Sequence, residues 1–333
     1  MRFSIIIALY NKEFFVRRAL DSVLAQTLSD FEIIVANDGS TDCGVSVVKS
    51  YQDRRITIVS QSNQGPGAAR NLGVEVARGA WLVFLDADDA WTPTHLFELA
   101  RAIAVCECAG LVGTKSVQRS TADSSLASKR KFFAGGNRGV YEVDYFKHAA
   151  RDPGFINSSS SAVRSSVFNE LGGFRSLYSG EDTEFWARVC LHYPCVVSET
   201  QTAYYFRGTG GITENRVLPN TLGCPKSRTL TDVHPVIPLV LAHIEAGVRP
   251  HLNVQSLARY VNSKVSIEVR GAFYSNNVDL AKRLAELYLQ PPHGEALVWS
   301  LLLLRLPRPV ASSLARLRAS MRAVYRRVRA VRS

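Results

Sequence analysis

Four short apolar runs punctuate the first hundred residues: FSIIIAL (3–9), FEIIVA (31–36), ITIV (56–59) and WLVFL (81–85). Between the first two, Phe15, Val16, Ala19, Leu20, Val23 and Leu24 recur at helical spacing, and a second helix is expected over 67–78. Strands that alternate with helices and read as continuous apolar runs belong to a mostly parallel sheet covered on both faces. In such sheets ligands bind beyond the carboxyl ends of the strands. Those ends carry Ala8–Asn11, Asn37–Ser40 and Asp86–Asp89, so polar chemistry collects along one edge.

The remainder is less regular. A polar, basic stretch from Gln118 to Gly139 reads as an exposed loop, and GEDTEFWARV (180–189) reads as a short helix. VVSETQTAYYF (196–206) reads as a strand pair or one bent strand, and RGTGGITENR (207–216) as a glycine-rich loop. From about His234 the pattern is helical. The expected organisation is 1–110, 111–220 and a helical region over 221–333.

Charge is unevenly placed. The chain carries a formal +11, and no acidic residue follows Glu295, whereas Arg305, Arg308, Arg316, Arg318, Arg322, Arg326, Arg327, Arg329 and Arg332 do. The excess therefore concerns the partner of the C-terminal segment. That segment reads either as a packed helix with a solvated basic face or as an interfacial helix on an anionic membrane surface. No nucleic-acid recognition module accompanies it, so nucleic acid is not an expected partner. Six cysteines without paired C-x-x-C spacing fit a reducing compartment. Only Arg2 precedes the first apolar run, which stops at Asn11, so neither a secretory signal nor a membrane span is expected there. The expected location is cytoplasmic, including the inner face of the cell membrane.

Each acidic motif admits two readings. In an extended segment Asp86 and Asp88 would share one side, from which two carboxylates can grip a hard divalent cation. The same residues could instead cap a helix starting near Pro93. NDGSTD (37–42) reads as a strand-to-helix turn, or as a loop whose Asp38 accepts hydrogen bonds from a base or sugar. QGPGAARNLG (64–73) lacks the third glycine of a dinucleotide fingerprint and follows the third strand, so only a helix start with Arg70 as an anion contact survives. In SGEDTEFW (179–186), Ser179 as N-cap with Asp182 at the third helical position would form a capping-box variant. Alternatively, one of those carboxylates serves as a general base.

Taken in order, FSIIIALYNKEFFVRRALDSVLAQT, FEIIVANDGSTD, NQGPGAARNLGVEVARGAWLVFLDADD and GEDTEFWARV resemble the family 2 glycosyltransferases. The resemblance runs from about Phe3 to Arg188. It implies a GT-A fold, a Rossmann-like α/β architecture with a mostly parallel mixed sheet flanked by helices, here with a helical C-terminal extension. It implies an inverting transfer from a nucleotide-diphosphate sugar, with UDP-sugars favoured, to a glycan or lipid-linked acceptor in cell-surface polysaccharide or glycolipid synthesis. Residues 1–110 would bind the donor and 111–220 the acceptor. Ala8, Tyr10 and Asp38 would contact the base, Arg70 and Asn71 would lie near the nucleotide, and Asp86 would meet the ribose. Asp88 would hold Mg²⁺ or Mn²⁺ on the diphosphate. Asp182 would deprotonate the acceptor hydroxyl, with Glu181 beside it. Arg207 would join the donor site, although YYFRGTGGIT lacks the His that many members carry just after it. A sugar nucleotidyltransferase and a non-catalytic sugar-nucleotide or glycan binder are the alternatives. The first would want a glycine-rich basic loop after the first strand, where this chain has ALYNKEFF.

Overall fold

The computed structural model describes residues 3–120, 139–177, 180–210, 233–249, 251–274 and 277–289. The arginine-rich tail, most of the 118–139 stretch and the end of the 207–216 loop lie outside them. The four expected strands are present as β1 (Phe3–Leu9), β2 (Phe31–Asp38), β3 (Ile56–Gln61) and β4 (Trp81–Asp86). They form a parallel wing in the order β3-β2-β1-β4. Beyond it lies a mixed wing, of which the sequence pattern showed only the strand over 196–206. It comprises β5 (Ala90–Trp91), β6 (Leu111–Ser120), β7 (Val140–Val143), β8 (Ser161–Arg164) and β9 (Cys195–Arg207). β8 runs antiparallel between β4 and β6 and joins the two wings into one sheet. The VVSETQTAYYF segment is one long strand, and its pairing with β6 shifts register at Thr114–Ser116.

Alternate residues of a strand face opposite sides, and here both sides are covered, which is why the runs are apolar throughout. Ile5, Ile7, Leu9, Ile33, Val35, Val83 and Leu85 form one core with Val16, Ala19, Leu20 and Val23 of α1 (Val16–Leu24). Leu96, Leu99, Ala102 and Ile103 of α4 (His95–Val105) join them, while α2 (Gly44–Lys49) adds the buried Val48. On the opposite face, α3 (Pro66–Glu75) crosses β1 and β2. It starts at Pro66, whose fixed φ suits the first helical position, and ends at Glu75, short of the expected Arg78. A Cβ at Gly73 would lie 2.6 Å from Ile6 Cγ2, so this crossing requires glycine.

Beside α3, Phe84 of β4 packs edge-on against Phe174, with ring centroids 5.1 Å apart, and tilted against Trp186 at 6.0 Å. Phe168 of α6 (Ser165–Leu171) and Phe185 complete the cluster. Because Phe185 and Trp186 belong to α7 (Glu181–His192), the cluster fixes where that helix begins. α5 (Tyr145–Ala149) is capped by Asp144, whose side chain accepts from the Lys147 N–H.

Two compact units divide the chain: residues 1–215 with 245–253, and residues 216–244 with 254–333. In the second, α9 (Val254–Tyr274) and α10 (Val278–Tyr288) pack together, and the Asn277 side chain caps α10. α8 (Val236–Glu245) precedes them. Among the described residues no helix is long and apolar enough to cross a membrane.

Candidate active site

The parallel register aligns the three strand ends. Ala8 of β1 lies between Ala36 of β2 and Asp86 of β4, and its half-buried methyl leaves the sheet edge low at this point. Tyr10 follows and is exposed. Asn11 adopts a left-handed φ of 49°, which Asn tolerates better than most residues. Its side-chain oxygen accepts from the Thr41 N–H at 2.8 Å, and the Asp42 carboxylate accepts from the Glu13 N–H at 2.8 Å and the Gly44 N–H at 2.9 Å. The NDGSTD segment thus forms a strand-to-helix turn clasped to the loop after β1.

Asp38 is buried and accepts three hydrogen bonds from its own chain: from Gln61 Nε2 at 2.7 Å, the Gln64 N–H at 2.9 Å and the Gly65 N–H at 2.8 Å. It draws the loop before α3 down onto the sheet edge. A carboxylate has about four acceptor positions, so one remains. Asn71 has a comparable duty, donating to the Phe174 carbonyl and accepting from the Phe174 N–H, both at 2.8 Å. Both ends of its amide dock the 174 segment on α3.

The DADD segment is a turn and not extended backbone: β4 ends at Asp86, and the Asp89 N–H donates to the Asp86 carbonyl at 3.0 Å. None of its carboxylates caps α4, whose N-cap is Thr94. Each has a separate environment. Asp86, one-third exposed, pairs with Arg70 at 2.6 Å. Asp88 pairs with Lys12 at 2.7 Å, while its carbonyl accepts from the Arg18 guanidinium. Asp89 turns inward and accepts from Ser159 Oγ at 2.5 Å and the Phe206 N–H at 2.9 Å. Burial, together with the charges of Asp86 and Asp88, pushes its pKa well above the carboxylate range, against those two hydrogen bonds. Ser159 Oγ also accepts from the Asp86 N–H at 3.1 Å. Asp89 is therefore the inner anchor of the turn, and Asp86 and Asp88 are its working face. Arg207, one position beyond Phe206, is exposed at the end of β9.

Helix α7 starts one turn position differently from the sequence expectation. Gly180, with a left-handed φ of 83°, is the N-cap, and Asp182 is the second helical residue, so no capping box forms. Ser179 lies outside the described residues. Asp182 accepts from the Thr183 N–H at 2.6 Å. Burial pushes its carboxyl above the ordinary range and Glu181 adds to this, while Arg70 and the Thr183 N–H oppose it. Glu181 bonds Arg70 at 2.8 Å, and Arg70 is buried with its guanidinium 5.4 Å from the Phe174 ring centroid. Burial disfavours its charge, but Asp86 and Glu181 outweigh that and raise its pKa. One arginine thus joins the end of β4 to the start of α7, residues 111 apart from it on one side and 16 on the other.

Residues 4–171 match Glycosyl transferase family 2, half of the chain. The chain belongs to that family. The chain has short stretches of closer similarity to several relatives. It is 40% identical over 100 residues to EpsH of Bacillus subtilis (strain 168), named as a glycosyltransferase, covering 29% of each chain. It is 38% identical over 122 residues to the succinoglycan biosynthesis protein ExoW of Rhizobium meliloti (strain 1021), covering 34% of this chain and 38% of ExoW. These matches span about a third of the relatives' lengths. Solved structures align over most of the chain. S. aureus TarS 1–349 in complex with UDP-GlcNAc aligns with a TM-score of 0.60 at 20% identity, over 86% of this chain and 84% of TarS. The mannosyltransferase PcManGT of Pyrobaculum calidifontis, in complex with GDP-Man and Mn²⁺, aligns with a TM-score of 0.58 at 16% identity, over 96% and 80%. These likenesses establish the GT-A fold of the chain.

Among the described residues no group of three or more His, Cys, Asp or Glu side chains is arranged around a metal position. A Mg²⁺-type ion does not require one, because it is commonly held by one or two carboxylates together with substrate phosphates. Asp88 meets that description: a hard oxygen donor, 15% exposed and already facing a cation. Sequence reading missed Lys12, Arg18, Ser159 and the anchoring role of Asp89. The only available signal was the KEFFVRR cluster of basic residues following the first strand, which carried no distance information.

Proposed function

We propose that this family 2 glycosyltransferase is an inverting enzyme that transfers a sugar from a nucleotide-diphosphate donor, UDP-sugars favoured, to a hydroxyl of a glycan or lipid-linked acceptor. The observation carrying this reading is the Arg70 bridge, which joins Asp86 at the end of β4 and Glu181, the neighbour of Asp182, in one charge network. The base would lie beyond Ala8 and Tyr10, over the loop that Asp38 organises, and the diphosphate near Asp86 and Asp88, with Arg207 at the rim. Asn71 would act through the docking of the 174 segment.

Asp88 would hold Mg²⁺ or Mn²⁺, with Asp86 beside it. When bound, such an ion neutralises charge developing on the departing diphosphate. Asp182 takes the proton of the acceptor hydroxyl, and its raised pKa makes it a stronger base than an ordinary aspartate. The acceptor oxygen forms its bond to the anomeric carbon from the face opposite the diphosphate, whose C–O bond breaks with inversion. Residues 1–110 would then supply the donor half and 111–220 the acceptor half.

The loop after β1 weighs against a sugar nucleotidyltransferase, because Asn11 and Glu13 clasp the 41–43 turn in place of a glycine-rich phosphate cradle. The basic segment from Arg305 onward supports contact with an anionic membrane surface on the cytoplasmic side, as a lipid-linked acceptor would require. Full-length protein and a 1–304 truncation on anionic liposomes test that contact. The reaction is tested with UDP-, GDP- and dTDP-sugars plus Mn²⁺, followed by NMR of the product anomer. Inversion is expected; retention of the donor anomer would contradict the assignment of Asp182 as base.

A further inference from the structure

We infer that Lys12 is a built-in counter-cation that holds Asp88 until a divalent ion and diphosphate displace it, and that it then pairs with the diphosphate. The inference rests on the proposed metal role of Asp88. Lys12 Nζ lies 2.7 Å from Asp88 Oδ2 and donates to the Thr209 carbonyl at 2.9 Å. It thereby ties three segments together: the loop after β1, the DADD turn and the residues just past β9. The ion pair is 15% exposed on both sides, so water screens it only in part. An ammonium at hydrogen-bond distance occupies the same oxygen lone pairs that a divalent ion would use at about 2.0–2.1 Å. Both cations on one carboxylate would repel strongly, so binding of one must move the other.

The freed ammonium would not lack a partner. A nucleoside diphosphate brings anionic oxygens to the same edge, and a lysine binds phosphate as a point charge without needing fixed geometry. Lys12 should therefore oppose metal binding when the protein is empty and favour the nucleotide. The neighbouring Arg18 does not share this behaviour, because it holds the Asp88 backbone carbonyl and packs 3.5 Å from the Phe206 ring centroid. It supports the turn whichever cation occupies the carboxylate.

The test measures Mn²⁺ binding by the EPR signal of free Mn²⁺, and UDP binding in EDTA by calorimetry, on intact protein. Wild type, Lys12→Met, Lys12→Gln, Lys12→Arg and Asp88→Ala are compared, with thermal melts to confirm folding. Lys12→Met and Lys12→Gln should bind Mn²⁺ alone about fivefold more tightly and UDP about fivefold more weakly, whereas Lys12→Arg should stay near wild type. Loss of local structure alone would weaken both. Unchanged or weaker Mn²⁺ binding in both neutral variants, with Asp88→Ala still abolishing it, would overturn the Lys12 inference and leave the metal role of Asp88 standing. Mn²⁺ binding unaffected by Asp88→Ala would overturn both.

Discussion

The two carboxylate groups of the site sit in opposite electrostatic settings. On the DADD turn, Asp86 and Asp88 each face a protein cation, Arg70 and Lys12, within 2.7 Å. On α7, Glu181 shares Arg70, and among the described residues Asp182 accepts from the Thr183 N–H and hydroxyl within its own first turn. The first pair therefore faces cations and is suited to them. Asp182 is desolvated beside another carboxylate, which raises its affinity for a proton. Under the proposed mechanism, two aspartates of equal intrinsic acidity would acquire separate duties from their surroundings, much as paired carboxylates do in other acid–base sites.

Removing the proton acceptor should break this contrast most severely. Asp182→Asn is expected to lower the transfer rate by about 100- to 10,000-fold, the range for losing a general base; steady-state rates at saturating donor check it. Next comes the link itself. Arg70→Met leaves Glu181 and Asp86 without their shared cation and should destabilise the fold by about 3 kcal/mol in urea unfolding, somewhat less where the exposed edge of Asp86 admits water. Glu181→Gln sharpens the comparison more gently. It removes the like charge that adds to the raised pKa of Asp182, so the acid limb of kcat/KM should move to lower pH, with little change on the alkaline side.

The last effect is on stability and not on the chemistry of the site. His95 is fully buried, stacks on Trp91 with centroids 4.2 Å apart and contacts Thr202 Oγ1 at 2.8 Å. Burial lowers its pKa to about 3 from the usual 6.5. Between those values the unfolded chain binds a proton that the native chain does not. This contribution to stability is therefore present above pH 6.5 and lost as pH falls toward 3, at up to about 1.4 kcal/mol per pH unit. Urea titrations of wild type and His95→Phe across this window should differ in slope by about one proton.

Much of the parallel wing was legible because strands buried on both faces leave an uninterrupted apolar signal, as in FSIIIAL and WLVFL. The mixed wing was legible only at β9. β8 is the four-residue SAVR, and β6 dilutes its apolar start with Thr114, Lys115 and Ser116, so neither shows a strand period. The same division runs through the site. Asp38, Arg70, Asp86, Asp88 and Asp182 stood out by motif order. What they touch did not, because Lys12 reaches Asp88 across 76 positions of chain and Thr209 across 197. The helix start at Glu181 was misjudged because Gly180 in left-handed backbone replaces a side-chain cap, and that conformation leaves no mark beyond the glycine itself. Asn71, expected near the nucleotide, also clamps the Phe174 backbone, which no local pattern announced.

The division of labour between the two aspartates is tested most directly by titrating UDP, GDP and dTDP with and without Mn²⁺ into Asp88→Ala and Asp182→Asn side by side. Asp182→Asn should keep wild-type, Mn²⁺-dependent affinity for the preferred nucleotide, while Asp88→Ala should lose the Mn²⁺ dependence. Equal losses in the two variants would contradict the account.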